Sequence, residues 1–326
     1  MSKPSYLNLY SSGELKNRVR LLNEKLQNCN VCPYECNVNR VISKTGFCRS
    51  GQFAYVVSYC DHHGEEPPLS GIHGSGTIFM GNCNLRCVFC QNADISQRLY
   101  NLKSYEYTAE KLAELILYLQ NVQNCHNINF VSPSHFVPQI VEGIYIAAGK
   151  GLNLPLVYNS NGYDALDTLK LINGIFDIYL PDLKYSNDIN ARKYSRAKNY
   201  VNVSRAAIKE MFRQVGILQV DEDGIAKQGL IIRHLVLPND ISGTIDCLEW
   251  IAKELSTEVT ISLMAQYYPA NYADRIPLLS RKIKRREYDE ALMAMERFGL
   301  TEGLCQRLIS ADHYKPHFFN SDHPFE

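Results

Sequence analysis

Cys83, Cys87 and Cys90 fall within the stretch GNCNLRCVFCQN, which runs from Gly81 to Asn92. Three thiols at spacings of four and three residues do not make a disulfide framework. The polar neighbours Asn82, Asn84 and Arg86 do not suit three buried core thiols either. A structural zinc site takes four ligands, so zinc here would need His62, His63 or His73 as the fourth. A 4Fe-4S cluster takes one thiolate per iron, so three cysteines leave one iron open. An open metal position characterises a catalytic centre, and a group carrying an amine and a carboxylate could chelate it. Gly81 is expected to make the tight turn that enters the loop.

A second group, Cys29, Cys32, Cys36 and Cys48, has the form C-x2-C-x3-C-x11-C. Four thiolates close in sequence satisfy either zinc or a second iron–sulfur cluster and leave no open position. Ligand count favours structural zinc, with Pro33 and Gly46 suiting a tight knuckle. Cys60, Cys125, Cys247 and Cys305 stand alone, and Cys247 reads as a small core residue.

Both groups must be positioned by regular elements. Leu15, Val19, Leu22 and Leu26 share one face of a predicted helix over 12–26, with Ser11 and Glu14 as a capping box. The run FAYVVSY reads as a strand and CDHHGEEPPLSGIHGSG as a connector. Six β-branched runs follow at 77–80, 128–131, 156–158, 175–180, 230–237 and 259–264. Helical periodicity sits between them, in Leu112, Leu115, Ile116 and Leu119 behind a Thr108 N-cap, and in Leu248, Ile251, Ala252 and Leu255. A late helix over 287–298 carries Tyr288, Ala291, Leu292 and Met295 on one face. Alternation of this kind implies βαβ units and a parallel sheet. The expected architecture is α/β: a partial (βα)6 TIM-like barrel over 76–326 behind a cysteine-rich metal-binding extension over 1–75.

In parallel α/β folds ligands bind at the carboxyl ends of the strands. Cys83 to Cys90 follow the first predicted strand, and Ser132, Ser134 and His135 the second. Asn159, Asn161 and Gly162 follow the third, and Asp182 and Lys184 the fourth. Arg233 lies in the fifth, which ends at Pro238 to Asp240, and Gln266 and Tyr267 follow the sixth. Each has a plainer reading. Asn159, Asn161 and Gly162 make a turn on chemistry alone. Asp182 and Lys184 would be a weak surface ion pair, and Arg233 the partner of a barrel carboxylate. A lone histidine such as His135 is more often a hydrogen-bonded structural residue than a catalyst. Glu65 and Glu66 read as a solvated loop.

C-x3-C-x2-C with Phe89 before the third cysteine resembles the radical SAM superfamily. CPYECNVNR, GEEPPLSG, GSGTIF, CNLRCVFCQN, VYNSNGY, DIYLPDLKY, RHLVLP and MAQYYP resemble one branch, the PflX-type pyruvate formate-lyase activating enzyme-like proteins. The resemblance implies that Cys83, Cys87 and Cys90 hold a 4Fe-4S cluster whose open iron binds S-adenosylmethionine. Reductive cleavage of that cofactor would give a 5′-deoxyadenosyl radical that abstracts hydrogen, with a glycine of a partner enzyme as one target. It further implies cofactor contacts from Phe89 on the adenine and from Asn159 and Asn161 near the ribose. Asp182 and Lys184 would lie near the methionine part and Arg233 near its carboxylate, with Ser132, Ser134 and Gln266 on the same rim. The Gly-Gly-Glu-like turn common after the second strand reads Ser132-Pro133-Ser134 here and holds no glutamate. An electron donor such as flavodoxin or ferredoxin is implied as well. The competing functions are a radical SAM enzyme acting on a small molecule or RNA, and a non-catalytic zinc or iron–sulfur binding module.

Composition narrows these. Lys plus Arg equals Asp plus Glu at 34 each, which disfavours nucleic acid, and the basic run RKIKRR reads as a solvated face. The 45% hydrophobic content is ample for a core. No apolar run reaches bilayer length and the N-terminus lacks an apolar signal region, so a cytoplasmic location is expected. There, 11 cysteines serve as thiols or metal ligands rather than disulfides.

Overall fold

Period-two alternation of large apolar and small or polar residues decides which way each strand faces. The structure, a computed structural model, describes residues 3–42, 44–308, 316–319 and 324–325. Its strands are β1 (Ala54–His62), β2 (Ser75–Met80), β3 (Glu106–Tyr107), β4 (Ile128–Val131) and β5 (Leu156–Asn159), then β6 (Ile178–Tyr179), β7 (Gln219–Val220), β8 (Ala226–Leu235), β9 (Thr260–Met264) and β10 (Gly303–Cys305). They order as β10-β9-β8-β6-β5-β4-β2-β1-β3, with β7 paired to β8, and the sheet is open at both edges. Along the path β2-β4-β5-β6-β8-β9-β10 every neighbouring pair runs parallel. All six expected strands are present, joined at one edge by the exposed β10, which extends the parallel run to a seventh strand.

The FAYVVSY segment forms most of β1, which runs antiparallel to β2. It adds to the barrel sheet on the side away from β4. Helices Ala109–Asn121, Val137–Gly149, Leu166–Leu171, Tyr200–Val215, Thr244–Glu254 and Arg285–Arg297 connect the parallel strands. Thr108 Oγ1 accepts from Lys111 N at 3.3 Å, forming the expected N-cap. At the N-terminus the expected helix begins two residues late, at Glu14, ends two residues early, at Glu24, and is preceded by a separate short one. Tyr6–Ser11 ends before Gly13, whose φ of 80° breaks the backbone, and Glu14–Glu24 begins after it, so the Ser11–Glu14 capping box does not form. Leu15, Leu22 and Leu26 still bury their common face, in one core with Phe130, Ile140, Ile144 and Tyr158.

The outward strand positions Phe130, Tyr158, Tyr179, Ile232 and Ile261 belong to that same core under the helices. The alternating inner positions are smaller or polar: Thr77, Asn129, Val157, Ile178 and Ser262 are buried on the other face. Near the strand ends this inner face carries Phe79, Val131, Asn159, Arg233 and Leu235, which line a cavity. Two of the basic-run arginines, Arg285 and Arg286, pair with Asp289 and Glu290 one turn on, as an exposed face does. No helix among the described residues is long and apolar enough to cross a membrane.

Candidate active site

Strand β2 delivers the three-cysteine loop into a cavity of about 230 Å³. The turn is made differently from the sequence expectation. Asn82, with φ 63°, takes the left-handed conformation, and its side-chain amide donates to Arg49 O at 3.2 Å. Gly81 is needed for closeness instead: a Cβ there would stand 2.7 Å from Leu99 and 3.0 Å from Tyr55.

Cys83, Cys87 and Cys90 all line the cavity, and each sulfur has a donor or hydroxyl beside it. Leu85 N and Asn161 Nδ2 donate to Cys83 Sγ at 3.3 and 3.4 Å. Ser195 Oγ donates to Cys87 Sγ at 3.0 Å, and Ser96 Oγ lies 3.3 Å from Cys90 Sγ. Burial pushes all three thiols up, Cys87 to about 11 even though Lys184 draws it down. Hydrogen bonds to sulfur tune cluster thiolates, so this donor set fits an iron–sulfur cluster. Among the described residues no three His, Cys, Asp or Glu side chains are placed to hold a single metal ion. Of the three histidines weighed as zinc ligands, His62 lines the cavity but stacks on Phe325 at 4.0 Å. His63 lies 3.6 Å from Asp61, and His73 lies 5.0 Å from the His126 ring.

Beside the cysteines runs a row of charges. Lys184 Nζ donates to Asp182 at 2.6 Å, and Arg233 Nε donates to the other Asp182 oxygen at 3.1 Å. Arg233 Nη2 donates to Asn159 Oδ1 at 2.7 Å, and Nη1 faces Glu65 at 3.6 Å. Burial opposes ionisation of Asp182, but Lys184 and Arg233 overcome it and hold its carboxyl below the ordinary value. Burial also works against the Lys184 and Arg233 charges, and Asp182 more than restores them. The pair expected as weak surface charge is therefore an enclosed network.

The Asn159–Tyr163 segment is a turn, as its chemistry predicts, and a site wall as well. Gly162, at φ 74°, lies so close to Asp182 that a Cβ would be 2.1 Å from its carbonyl oxygen. Asn159, Asn161, Phe89, Ser132 and Gln266 line the cavity. Ser134 turns away toward Tyr158 and Asp164. His135 is structural: its Nε2 lies 3.0 Å from Gly81 O, and burial pushes it down to about 3.

Of Glu65 and Glu66, expected in a solvated loop, the first is largely enclosed and the second buried. Pro67–Ser70 forms one helical turn whose Leu69 is buried against Val157, Ile178, Leu180, Ala226 and Ile231 inside the barrel. That anchor turns the acidic pair inward. The Glu65 side chain is 9% exposed and lines the cavity. Glu66 is buried deeper, and burial raises its carboxyl to about 7 while Arg233 pulls the other way. An apolar residue directly behind a Pro-Pro pair was the available signal.

The family model described as the Radical SAM superfamily matches residues 77–221. An uncharacterized protein of Methanocaldococcus jannaschii is 31% identical over 307 residues, covering 91% of this chain and 80% of the relative. A second uncharacterized protein of that organism is 25% identical over 167 residues, 46% of this chain and 48% of its own length. Among solved structures the chain is similar to HydG, a maturase of the FeFe-hydrogenase, with TM-score 0.48 and 10% identity. That match covers 70% of this chain and 50% of HydG, so the chain spans about half of that relative's length. Methylornithine synthase gives TM-score 0.43 and 18% identity over 70% of this chain and 63% of its own. The matched span 77–221 contains the three-cysteine loop, the Asn159–Tyr163 turn and the Asp182–Lys184 pair, and on these grounds the chain belongs to the radical SAM superfamily.

Proposed function

We propose that this protein binds a 4Fe-4S cluster through Cys83, Cys87 and Cys90 and cleaves S-adenosylmethionine reductively to start hydrogen abstraction. The observation that carries the reading is the cavity itself, which three cysteine sulfurs and the Lys184–Asp182–Arg233–Asn159 row line together. Cys83, Cys87 and Cys90 would hold the cluster, whose chemistry there would be one-electron reduction of the cofactor's sulfonium to give methionine and a 5′-deoxyadenosyl radical.

The chain's own residues orient and shield. Lys184 and Arg233 are the cations available to an amino-acid carboxylate, Arg233 with a planar fork suited to one. Asp182 holds both cations in place. Phe89, its ring 6.0 Å from that of Tyr267, offers a flat apolar face to the adenine. Asn159 and Asn161 supply amide groups for the ribose hydroxyls, with Ser132 and Gln266 on the same wall. Phe79, Leu235 and Met264 give the cavity apolar wall that would shield a bound cofactor from water.

Anaerobic reconstitution, reduction with dithionite and measurement of 5′-deoxyadenosine test this. A fully assembled cluster that forms none refutes it. Within the superfamily we assign the chain to the glycyl-radical activating, PflX-type branch, on the motifs that resemble it. The electron donor would be a flavodoxin or ferredoxin and the target a protein glycine. Incubation with a candidate glycyl-radical enzyme should produce a glycyl radical signal by electron paramagnetic resonance, and its absence with active enzyme refutes that target. Residues 1–75 would act as a metal-binding extension, with Cys29, Cys32, Cys36 and Cys48 its ligands.

A further inference from the structure

Arg40 is among the largest fully buried side chains of the described residues, at 1% exposure. Its Nε donates to Gly51 O at 3.0 Å, and its Nη1 donates to His135 O at 2.7 Å and lies 3.9 Å from Cys29 Sγ. The guanidinium covers the Phe136 ring at 5.6 Å, and its Nη2 has no partner. Carbonyls and one sulfur, with no carboxylate, are thus its partners among the described residues. A guanidinium does not lose its proton in a protein, and a buried charge without a counter-charge is strongly unfavourable. Of these partners, the sulfur of Cys29 is the one that a bound metal would hold as a thiolate.

The surroundings of that sulfur are built for ligation. Cys29, Cys32 and Cys48 are buried, Cys36 is half-buried, and all four are free of disulfides. Phe47 N donates to Cys36 Sγ at 3.4 Å. The backbone folds back tightly, with Cys29 N donating to Val38 O and Asn37 N to Cys29 O at 2.9 and 3.0 Å. Glu35 and Asn37 take left-handed conformations to permit this. No three of these sulfurs already surround one point. Metal uptake must therefore draw them in around one ion or seat one at each iron of a cluster. Four thiolates on Zn²⁺ and four on a 4Fe-4S core in its oxidised state carry the same net charge of two negatives.

We propose that Cys29, Cys32, Cys36 and Cys48 form a dianionic metal–thiolate centre balanced by Arg40, and that Arg40 ties this centre to the three-cysteine loop. The tie is continuous. Arg40 holds the His135 carbonyl, and the His135 ring holds Gly81 O, one residue past strand β2 and two before Cys83. A second link comes from the loop side, where Arg86 donates to Phe47 O at 2.6 Å and to Cys83 O at 2.6 Å. Phe47 precedes Cys48 directly. Occupancy of the four-cysteine centre thereby sets the position of the strand end that launches the loop. Only this coupling, and not the centre itself, rests on reading Cys83, Cys87 and Cys90 as cluster ligands.

The test uses the full chain carrying Cys83→Ala, Cys87→Ala and Cys90→Ala, reconstituted anaerobically with zinc in one arm and with iron and sulfide in the other. One zinc, or one complement of iron with matching sulfide, should remain bound per chain, and the arm that loads identifies the metal. No bound metal in either arm overturns the centre. In the same background Arg40→Met should retain the metal at least ten-fold less well against a chelator, with Arg40→Lys intermediate. Equal retention overturns the role of Arg40. Coupling is read in a chain that keeps Arg40 and the three loop cysteines but carries Cys36→Ser. Stripped of cluster, its Cys83, Cys87 and Cys90 should alkylate several-fold faster than those of the stripped chain that keeps its four-cysteine metal. Equal rates overturn the tie. A wild-type chain that forms 5′-deoxyadenosine while these measurements fail separates the loss of this proposal from loss of the enzyme reading.

Discussion

Replacing Asp182 with asparagine should cost the protein about 3 kcal/mol of stability. The carboxylate gives one oxygen to Lys184 at 2.6 Å and the other to Arg233 at 3.1 Å, and the three side chains are 14 to 18% exposed. At an effective dielectric of about 20, each contact carries roughly 5–6 kcal/mol of Coulomb attraction before desolvation. Desolvation cancels much of this, and removing one member of a buried ion pair costs about 3–5 kcal/mol net. The lower end applies because Arg233 keeps Glu65 at 3.6 Å. Urea unfolding of cluster-free protein measures the loss. Asp182→Asn combined with Lys184→Met should recover about 2 kcal/mol, since one orphaned cation is then gone. The pH dependence has a definite sign. The depressed Asp182 carboxyl contributes stability above its ordinary value of 3.8 and loses it as pH falls below that, and the asparagine variant should lack this loss. A cost under about 0.5 kcal/mol, the worth of an exposed pair, would refute the enclosed row.

Cys87→Ala should abolish 5′-deoxyadenosine formation and iron uptake by the loop, which iron and sulfide analysis of the same sample checks. Glu65→Gln should slow cofactor cleavage about ten- to hundred-fold with the far-ultraviolet circular dichroism unchanged, because a hydrogen bond to a charged group is worth about 1.5–3 kcal/mol. An unchanged rate would leave Glu65 as cavity wall only. Glu66 should make stability fall as pH rises. Burial raises its carboxyl from 4.5 to about 7, so the folded state prefers the protonated form and loses about 2–3 kcal/mol across that interval. Urea unfolding at the two ends of the interval should show a slope that Glu66→Gln removes, with Arg233, Glu65 and Ser262 as the neighbouring groups that set its size.

The strand ends were readable because their logic is local. Short β-branched runs followed by polar residues mark both a parallel strand and the rim it presents, and Asn159, Asp182, Lys184 and Arg233 meet in one cavity on that basis. Strand β10 was missed because three residues, two of them exposed, leave no periodic trace. Arg40 and the acidic connector were missed for a different reason. In the text GEEPPLSG the two glutamates and two prolines describe a solvated turn, and only the burial of Leu69 among strands 157–231 reverses that. Arg40 likewise reads as one cation in a basic, cysteine-rich stretch until His135, 95 positions away, accepts its hydrogen bond. In both cases a side chain's environment is set by a partner far along the chain, so neighbouring residues predict the wrong solvent. The consequence is chemical as well as structural. The turn after β4 holds no glutamate, yet the cavity does have a carboxylate with acceptor capacity to spare. Glu65, held among the described residues by contacts of 3.5 and 3.6 Å, reaches it from a connector outside the barrel's strand ends.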